Sequence, residues 1–475
     1  MKTSFVLGIA AAAVAIGFTT LLFAQPKSSP QIPAPSVNAP PAGVSTQTVE
    51  RGRYLVELGD CVACHTAKGG ARFAGGRTVE TPFGKLLSAN ITPDPDTGIG
   101  HWSADDFYRA LHEGIDDEGH HLYPAFPYNY YTKVTREDAD AMYAYMRTVP
   151  AVKHEVHSNQ LPFPFNIRQL MVVWNWMYLD KGPYRPDASK PEQWNRGAYL
   201  VEGLGHCEAC HTAKTMLGGP KGDHAFEGGT FGEWFAPDIT SNQRVGLGAW
   251  KDDALRDFLR RGINAHSAAA GEMGEVVAFS TSQASDGDVD AMISYLRSVK
   301  ASPDPKAEAP DRQVMRQGEA IWQDNCAACH RMDGSGVPGY FPPIAHDANV
   351  QQSDPTTLVH YVLAGTRKTP TDRAPTALGM PSFFWKLSDQ QVAAVTTYVR
   401  NSWGNQGSPV KVDDVAKLRK KLNLQVREPA IAPAPDLAHP GPETLGKANT
   451  DSRQNGTAQA GQPAPAKASA PQASR

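Results

Sequence analysis

Apolar residues recur along this chain in short bursts at helical spacing, separated by long polar stretches rich in glycine and proline. Tyr54, Leu55 and Leu58 share one helical face, and so do Met142, Tyr145 and Met146. Both segments return further on. Arg51-Gly52-Arg53-Tyr54-Leu55-Val56-Glu57 is matched by Arg196-Gly197-Ala198-Tyr199-Leu200-Val201-Glu202. Asn90-Ile91-Thr92 is matched by Asp238-Ile239-Thr240, Gly100-His101-Trp102 by Gly248-Ala249-Trp250, and Gly114-Ile115-Asp116 by Gly262-Ile263-Asn264. The amphipathic segment at 140–147 is matched by 290–297. A third, more divergent round keeps Gly318 and Trp322 at its start and Tyr398, within 392–400, at its end. A pattern repeated in this way predicts one supersecondary unit used three times.

Strand signals are weak throughout, so the fold is expected to be mainly α, with three tandem helical domains and long loops. Their expected limits are 47–150, 191–300 and 312–405, with linkers at 151–190 and 301–311. Gly52, Gly197 and Gly318 fall where an opening and a closing helix could cross, since a residue without Cβ lets two backbones approach. The first linker carries Phe163-Pro164-Phe165 and the run Met171-Val172-Val173-Trp174-Asn175-Trp176. It is too apolar to hang free, and is expected to pack over the first two domains, a partner or a membrane surface.

The two ends read differently. Residues 1–24 open Met-Lys-Thr and continue as an apolar run, the pattern of a signal peptide or of an N-terminal membrane anchor. Either reading puts the mature chain in the periplasm, associated with the outer face of the inner membrane. A proline-rich tether follows at 25–46. From 406 to 475 runs a C-terminal extension, rich in Ala, Pro, Gln and Ser towards its end and expected to be disordered from about 427.

Composition narrows the chemistry. The 475 residues suit roughly three domains. With 46 basic against 49 acidic side chains there is no charge excess of the kind a nucleic-acid partner requires. Forty-two glycines and 38 prolines favour loops, and such a chain buries little core unless a large apolar ligand fills it. All six cysteines lie in Cys-x-x-Cys-His: Cys61-Cys64-His65, Cys207-Cys210-His211 and Cys326-Cys329-His330. This is the attachment signature of c-type haem. The two thiols add to the porphyrin vinyl groups, and the following imidazole becomes the proximal iron ligand. Zinc would need four ligands per site and would not require a histidine after every second cysteine. Three covalently attached haem c groups are therefore expected.

A methionine commonly fills the sixth iron position in electron carriers. The third round offers Met380 in Gly379-Met380-Pro381, and the second offers Met273 in Gly271-Glu272-Met273. The first round has none between His65 and Met142; Tyr123-Pro124-Ala125-Phe126-Pro127-Tyr128 stands in the expected loop. Its haem is left five-coordinate, ligated by His120 or His121, or served by Met171 from the linker. His101, His112 and His154 read as surface or packing residues. No catalytic constellation, phosphate loop or dinucleotide fingerprint is present, so the chain reads as an electron conduit with no catalytic residues of its own. The alternative is a peroxidase-like reductase, open at the first haem.

Over residues 47–405 the sequence resembles the three-haem cytochrome c subunits of bacterial periplasmic dehydrogenases, among them alcohol, gluconate, sorbitol and fructose dehydrogenases. The likeness rests on Arg51-Gly52 with Tyr54-Leu55, Phe83-Gly84, Asn90-Ile91-Thr92-Pro93-Asp94, Gly98-Ile99-Gly100 with Trp102, Leu122-Tyr123-Pro124-Ala125 with Pro127-Tyr128, and Gly379-Met380-Pro381. It implies class I cytochrome c-like domains that pass electrons from a flavin, quinone or molybdenum catalytic subunit to ubiquinone or a terminal oxidase. Many such subunits carry Met where Phe126 stands. The branch paired with molybdenum hydroxylases is closer, with Ala125-Phe126-Pro127-Tyr128 and Phe163-Pro164-Phe165-Asn166-Ile167-Arg168.

Overall fold

The computed structural model describes residues 38–157, 159–376 and 378–424. The expected export segment, the first part of the tether and the expected disordered tail lie outside the described residues. What is described is mainly helical and organised around three helix crossings.

The opening helix Thr46–Leu58 crosses the closing helix Arg136–Met146. The second pair is Glu192–Ala198 with Asp286–Ser298, and the third is Arg312–Asn325 with Asp389–Arg400. A Cβ on Gly52 would lie 1.8 Å from the Ala141 carbonyl oxygen. On Gly197 it would lie 2.0 Å from that of Ala291, and on Gly318 2.3 Å from that of Ala394. The three expected close approaches are real. The closing helices start from side-chain caps at Thr135, Ser285 and Ser388, whose oxygens accept from Asp138, Asp288 and Gln391 amides.

The second opening helix has one residue more between its crossing glycine and its first cysteine, Gly203 being the extra one. The helix absorbs it by widening into a π-helical turn, Tyr199–Leu204. Register at the cysteines is thereby kept.

The first two units join by a reciprocal contact. Tyr54 donates to Asp288 at 2.7 Å, and Tyr199 donates to Asp138 at 2.6 Å. Arg196 and Arg51 pair with these same two carboxylates. Equivalent residues thus meet their opposite numbers across a local pseudo-twofold. The third unit docks differently: His360 stacks on Trp234 at 3.7 Å, Thr357 brackets the backbone of Phe235, and Gln352 bonds Asp238 and Val245.

The linker at 151–190 packs over the first two units. Trp174 is buried, meets Tyr128 edge-on and donates to the Leu217 carbonyl. Its other face stays open, with Phe163 80% and Trp176 85% exposed. At the far end, residues assigned from the sequence to an extension pack instead on the third unit. The helix Val412–Lys421 buries Val415 and Leu418 there, and Arg419 pairs with Asp389. The strands are short: Thr78–Thr81 with Gly84–Leu87 and Asn159–Gln160, Gly229–Phe231 with Trp234–Ala236, and Thr366–Arg367 with Gly379–Met380. Among the described residues no helix is long and apolar enough to cross a membrane.

Candidate functional site

Each Cys-x-x-Cys-His closes on a single helical turn: Cys61–Cys64, Glu208–His211 and Ala327–His330. One turn places two thiols on the same side and brings the next imidazole beneath them. In every copy the histidine Nδ1 is held by a backbone carbonyl: Ala89 for His65 at 2.7 Å, Pro237 for His211 at 2.7 Å, and Pro342 for His330 at 3.1 Å. That bond fixes the ring and the tautomer, leaving Nε2 as the ligating nitrogen. Burial lowers the pKa of all three, which keeps them neutral, the form that ligates a metal. The thiols are free, and burial pushes Cys61, Cys64, Cys207 and Cys210 up to about 12. None of the six is in a disulfide.

The surroundings fit a large apolar group with polar edges. One cavity, walled mainly by apolar side chains, is lined by His211 and Met273 of the second unit and by His330 and Met380 of the third. Leu58 and Asp60 reach into it from the first unit. The ligand pairs expected for the second and third units therefore fall on the walls of one cavity. Several buried polar atoms have no protein partner, among them the Tyr145 hydroxyl, Arg72 Nε and Trp322 Nε1. Uncompensated buried donors are costly, and a ligand that brings acceptors would satisfy them. Carboxylate-bearing porphyrin is such a ligand.

The distal loops are directly comparable. Gly114 and Gly262 both end a helix in the left-handed conformation, with φ of 63° and 66°. Leu122 then donates to the Gly114 carbonyl, as Ala269 does to that of Gly262. Four positions beyond these two donors stand Phe126 and Met273. Met273 sits on the helix Gly271–Phe279, whereas Phe126 packs against Tyr131, with ring centres 5.4 Å apart. The structure thus puts an aromatic ring in the first unit where the second has its thioether. His112 is a packing residue as expected: its Nε2 meets the Val134 carbonyl and its ring stacks on Tyr108. His154 likewise meets the Ala74 carbonyl, and His101 is exposed.

Two features escape a reading of the sequence. Arg77 donates to Ala63 in the first unit and pairs with Glu272 and Glu275 on either side of Met273. Asp60, next to Cys61, has left-handed φ of 53° and a carboxyl pushed up to about 8, chiefly by burial and then by Glu275, with Arg77 opposing. Its counterpart before Cys207 is His206, whose φ is 38° and whose pKa burial lowers. Nothing local in the sequence signals either.

Helix crossings around paired thiols, with an adjoining imidazole whose second nitrogen is free, define a c-type cytochrome with covalently bound haem. The cytochrome c family model matches residues 49–150 and 315–403. The gluconate 2-dehydrogenase cytochrome c subunit of Pantoea cypripedii is 41% identical over 80% of this chain and 91% of its own length. The cytochrome c subunit of the quinone alcohol dehydrogenase of Gluconobacter oxydans is 38% identical over 78% of this chain and 82% of its own. A nicotinate dehydrogenase subunit of Pseudomonas putida is 42% identical over 76% of this chain, which spans 31% of that longer protein. This chain belongs to the family of cytochrome c subunits of dehydrogenase complexes, and is an electron-transfer component rather than a catalytic subunit.

Proposed function

We propose that the chain binds three haem c groups, at Cys61-Cys64-His65, Cys207-Cys210-His211 and Cys326-Cys329-His330, one in each of three cytochrome c-like domains. Through them it carries electrons from a periplasmic dehydrogenase catalytic subunit to ubiquinone or a terminal oxidase at the outer face of the inner membrane. Bound haem supplies a one-electron Fe(III)/Fe(II) couple. The protein's part is to hold the imidazoles neutral and oriented, to exclude water with apolar walls, and to keep the sites adjacent. Met273 and Met380 are the proposed sixth ligands of the second and third irons. The observation that carries this reading is the shared cavity, with the second and third ligand sets on its walls and Leu58 and Asp60 entering from the first unit. The open apolar face around Phe163 and Trp176 supports a place against a membrane or the catalytic partner.

The test is the intact mass of the exported protein together with stopped-flow reduction by a partner dehydrogenase. Three haem increments and onward transfer to a ubiquinone analogue are expected; a colourless chain defeats the proposal. A second reading, a peroxidase-like reductase, draws on Phe126 at the methionine position. It requires peroxide turnover by the purified chain, which a conduit does not show.

A further inference from the structure

We propose that His121 is the distal iron ligand of the first haem. This rests on the haem reading above and adds to it the ligand that the first unit otherwise lacks.

The second unit shows which way this loop faces. The bridge Ile115↔His121 has its counterpart in Ile263↔Ala268, and the bond from Asp116 to the His120 carbonyl has its counterpart from Asn264 to Ser267. His121 therefore occupies the place of Ala268, and Ala268 lines the cavity that holds His211 and Met273. An alanine there leaves room for the distal methionine. In the first unit the two positions exchange character: the methionine place holds Phe126, which cannot ligate, and the alanine place holds an imidazole.

His120 and His121 are easily told apart. His120 is 55% exposed, and its Nδ1 lies 3.5 Å from an Asp116 carboxylate oxygen and 3.3 Å from one of Glu118. Its side chain is turned to solvent and already has partners. His121 Nδ1 is buried and has no hydrogen-bond partner. A buried imidazole nitrogen left without a partner is costly, and coordination would remove that cost. The loop is also fixed from outside. Arg168 of the linker donates to the His121 carbonyl at 3.0 Å, and its guanidinium lies 5.3 Å from the centre of the Tyr123 ring. The other candidates fit less well. Met142 and Met146 are 1% exposed in the closing helix, and Met292, the counterpart of Met142, lines the shared cavity along with Met273. Met171 begins a helix whose neighbours Leu170, Val172 and Val173 are exposed.

The experiment uses the exported holoprotein, with haem counted by mass. Near-infrared charge-transfer bands and low-temperature EPR separate bis-histidine from histidine–methionine iron. Wild type is expected to show one bis-histidine haem among its low-spin centres and to leave the first iron closed to carbon monoxide. His121→Ala should convert one haem to high spin and add one carbon monoxide per chain, with His120→Ala and Met171→Ala unchanged. Met273→Ala should open a different haem, and His121→Ala with Phe126→Met should restore a low-spin spectrum of histidine–methionine type. A wild type without a bis-histidine signal overturns the assignment, even if His121→Ala fails to accumulate. The same holds if Met171→Ala or His120→Ala is the variant that opens the iron. A chain without haem at Cys61 and Cys64 instead removes the reading on which the assignment rests.

Discussion

The first and second units have the same crossing, capped closing helix and imidazole-to-carbonyl bond, yet their distal loops differ in the residues that matter most. Gly52 and Gly197, Ala141 and Ala291, and Tyr145 and Tyr295 are structurally equivalent. Phe126 and Met273 are equivalent in register and unlike in chemistry. So are Asp60 and His206, one an acid and the other a base before the first cysteine. The helix pair tolerates little variation, because two backbones touch there. The loops have only to return the chain to the closing helix, so their side chains are free to differ.

The largest expected effect is on the crossings. Gly52→Ala or Gly197→Ala puts a methyl within 2.0 Å of a carbonyl oxygen on the facing helix, and the helices must separate. A loss of about 3 kcal/mol is expected, the upper end of what overpacking costs, because side-chain rotation cannot relieve it. Gly287, within a closing helix and with open space where a Cβ would stand, is the control. Gly287→Ala should instead stabilise by about 0.5–1 kcal/mol. Equal denaturant midpoints for Gly52→Ala and wild type would show that the backbones are not in contact.

Next comes the pair before the cysteines. Asp60 is raised from an ordinary 3.8 to about 8 by burial, so the fold prefers its neutral form. Its contribution to stability is complete below the unfolded pKa and is lost as pH rises towards about 8, levelling beyond. The full shift would correspond to about 6 kcal/mol, and water reaching the carboxyl will reduce this to a few. Asp60→Asn should remove most of that slope, leaving acid stability unchanged and raising alkaline stability. Urea midpoints of the holoprotein measured across this range decide it; an unchanged slope would mean the carboxyl is solvated.

How much of this was legible depends on how local each signal is. The crossing glycines, the cysteine motifs and the paired opening and closing helices are written in short segments that recur, so alignment of the chain with itself exposes them. The π-helical turn is legible in retrospect as the extra Gly203. Phe126 in the place of Met273 is readable from the repeat, but which neighbouring histidine faces inward is not. That depends on bridge alternation and on Arg168 arriving from a distant linker. The helix Val412–Lys421 carries Val412, Val415 and Leu418 at helical spacing, a weak signal masked by the polar composition of the chain's end. The contacts between units join residues far apart in sequence, and nothing near Tyr54 announces Asp288.

That contact gives the smallest and most discriminating effect. Burial alone would raise the Asp288 pKa, but bonds from Arg196 and Tyr54 outweigh it and hold the carboxyl low. Tyr54→Phe removes the donor to Asp288 and the acceptor of the Ser285 amide and leaves Arg196 in place, so a loss of about 2 kcal/mol is expected, within the range for a hydrogen bond to a charged acceptor. Tyr199→Phe, acting on Asp138, should cost a similar amount. If the two units unfold together, both losses fall on one transition, and the double variant loses their sum or less, because an interface already loosened has less to lose. If each tyrosine matters only to its own unit, the variants will instead split the melting curve, each lowering a different half. Calorimetry of the two single variants and the double therefore tests whether the reciprocal contact joins the first two units into one cooperative body.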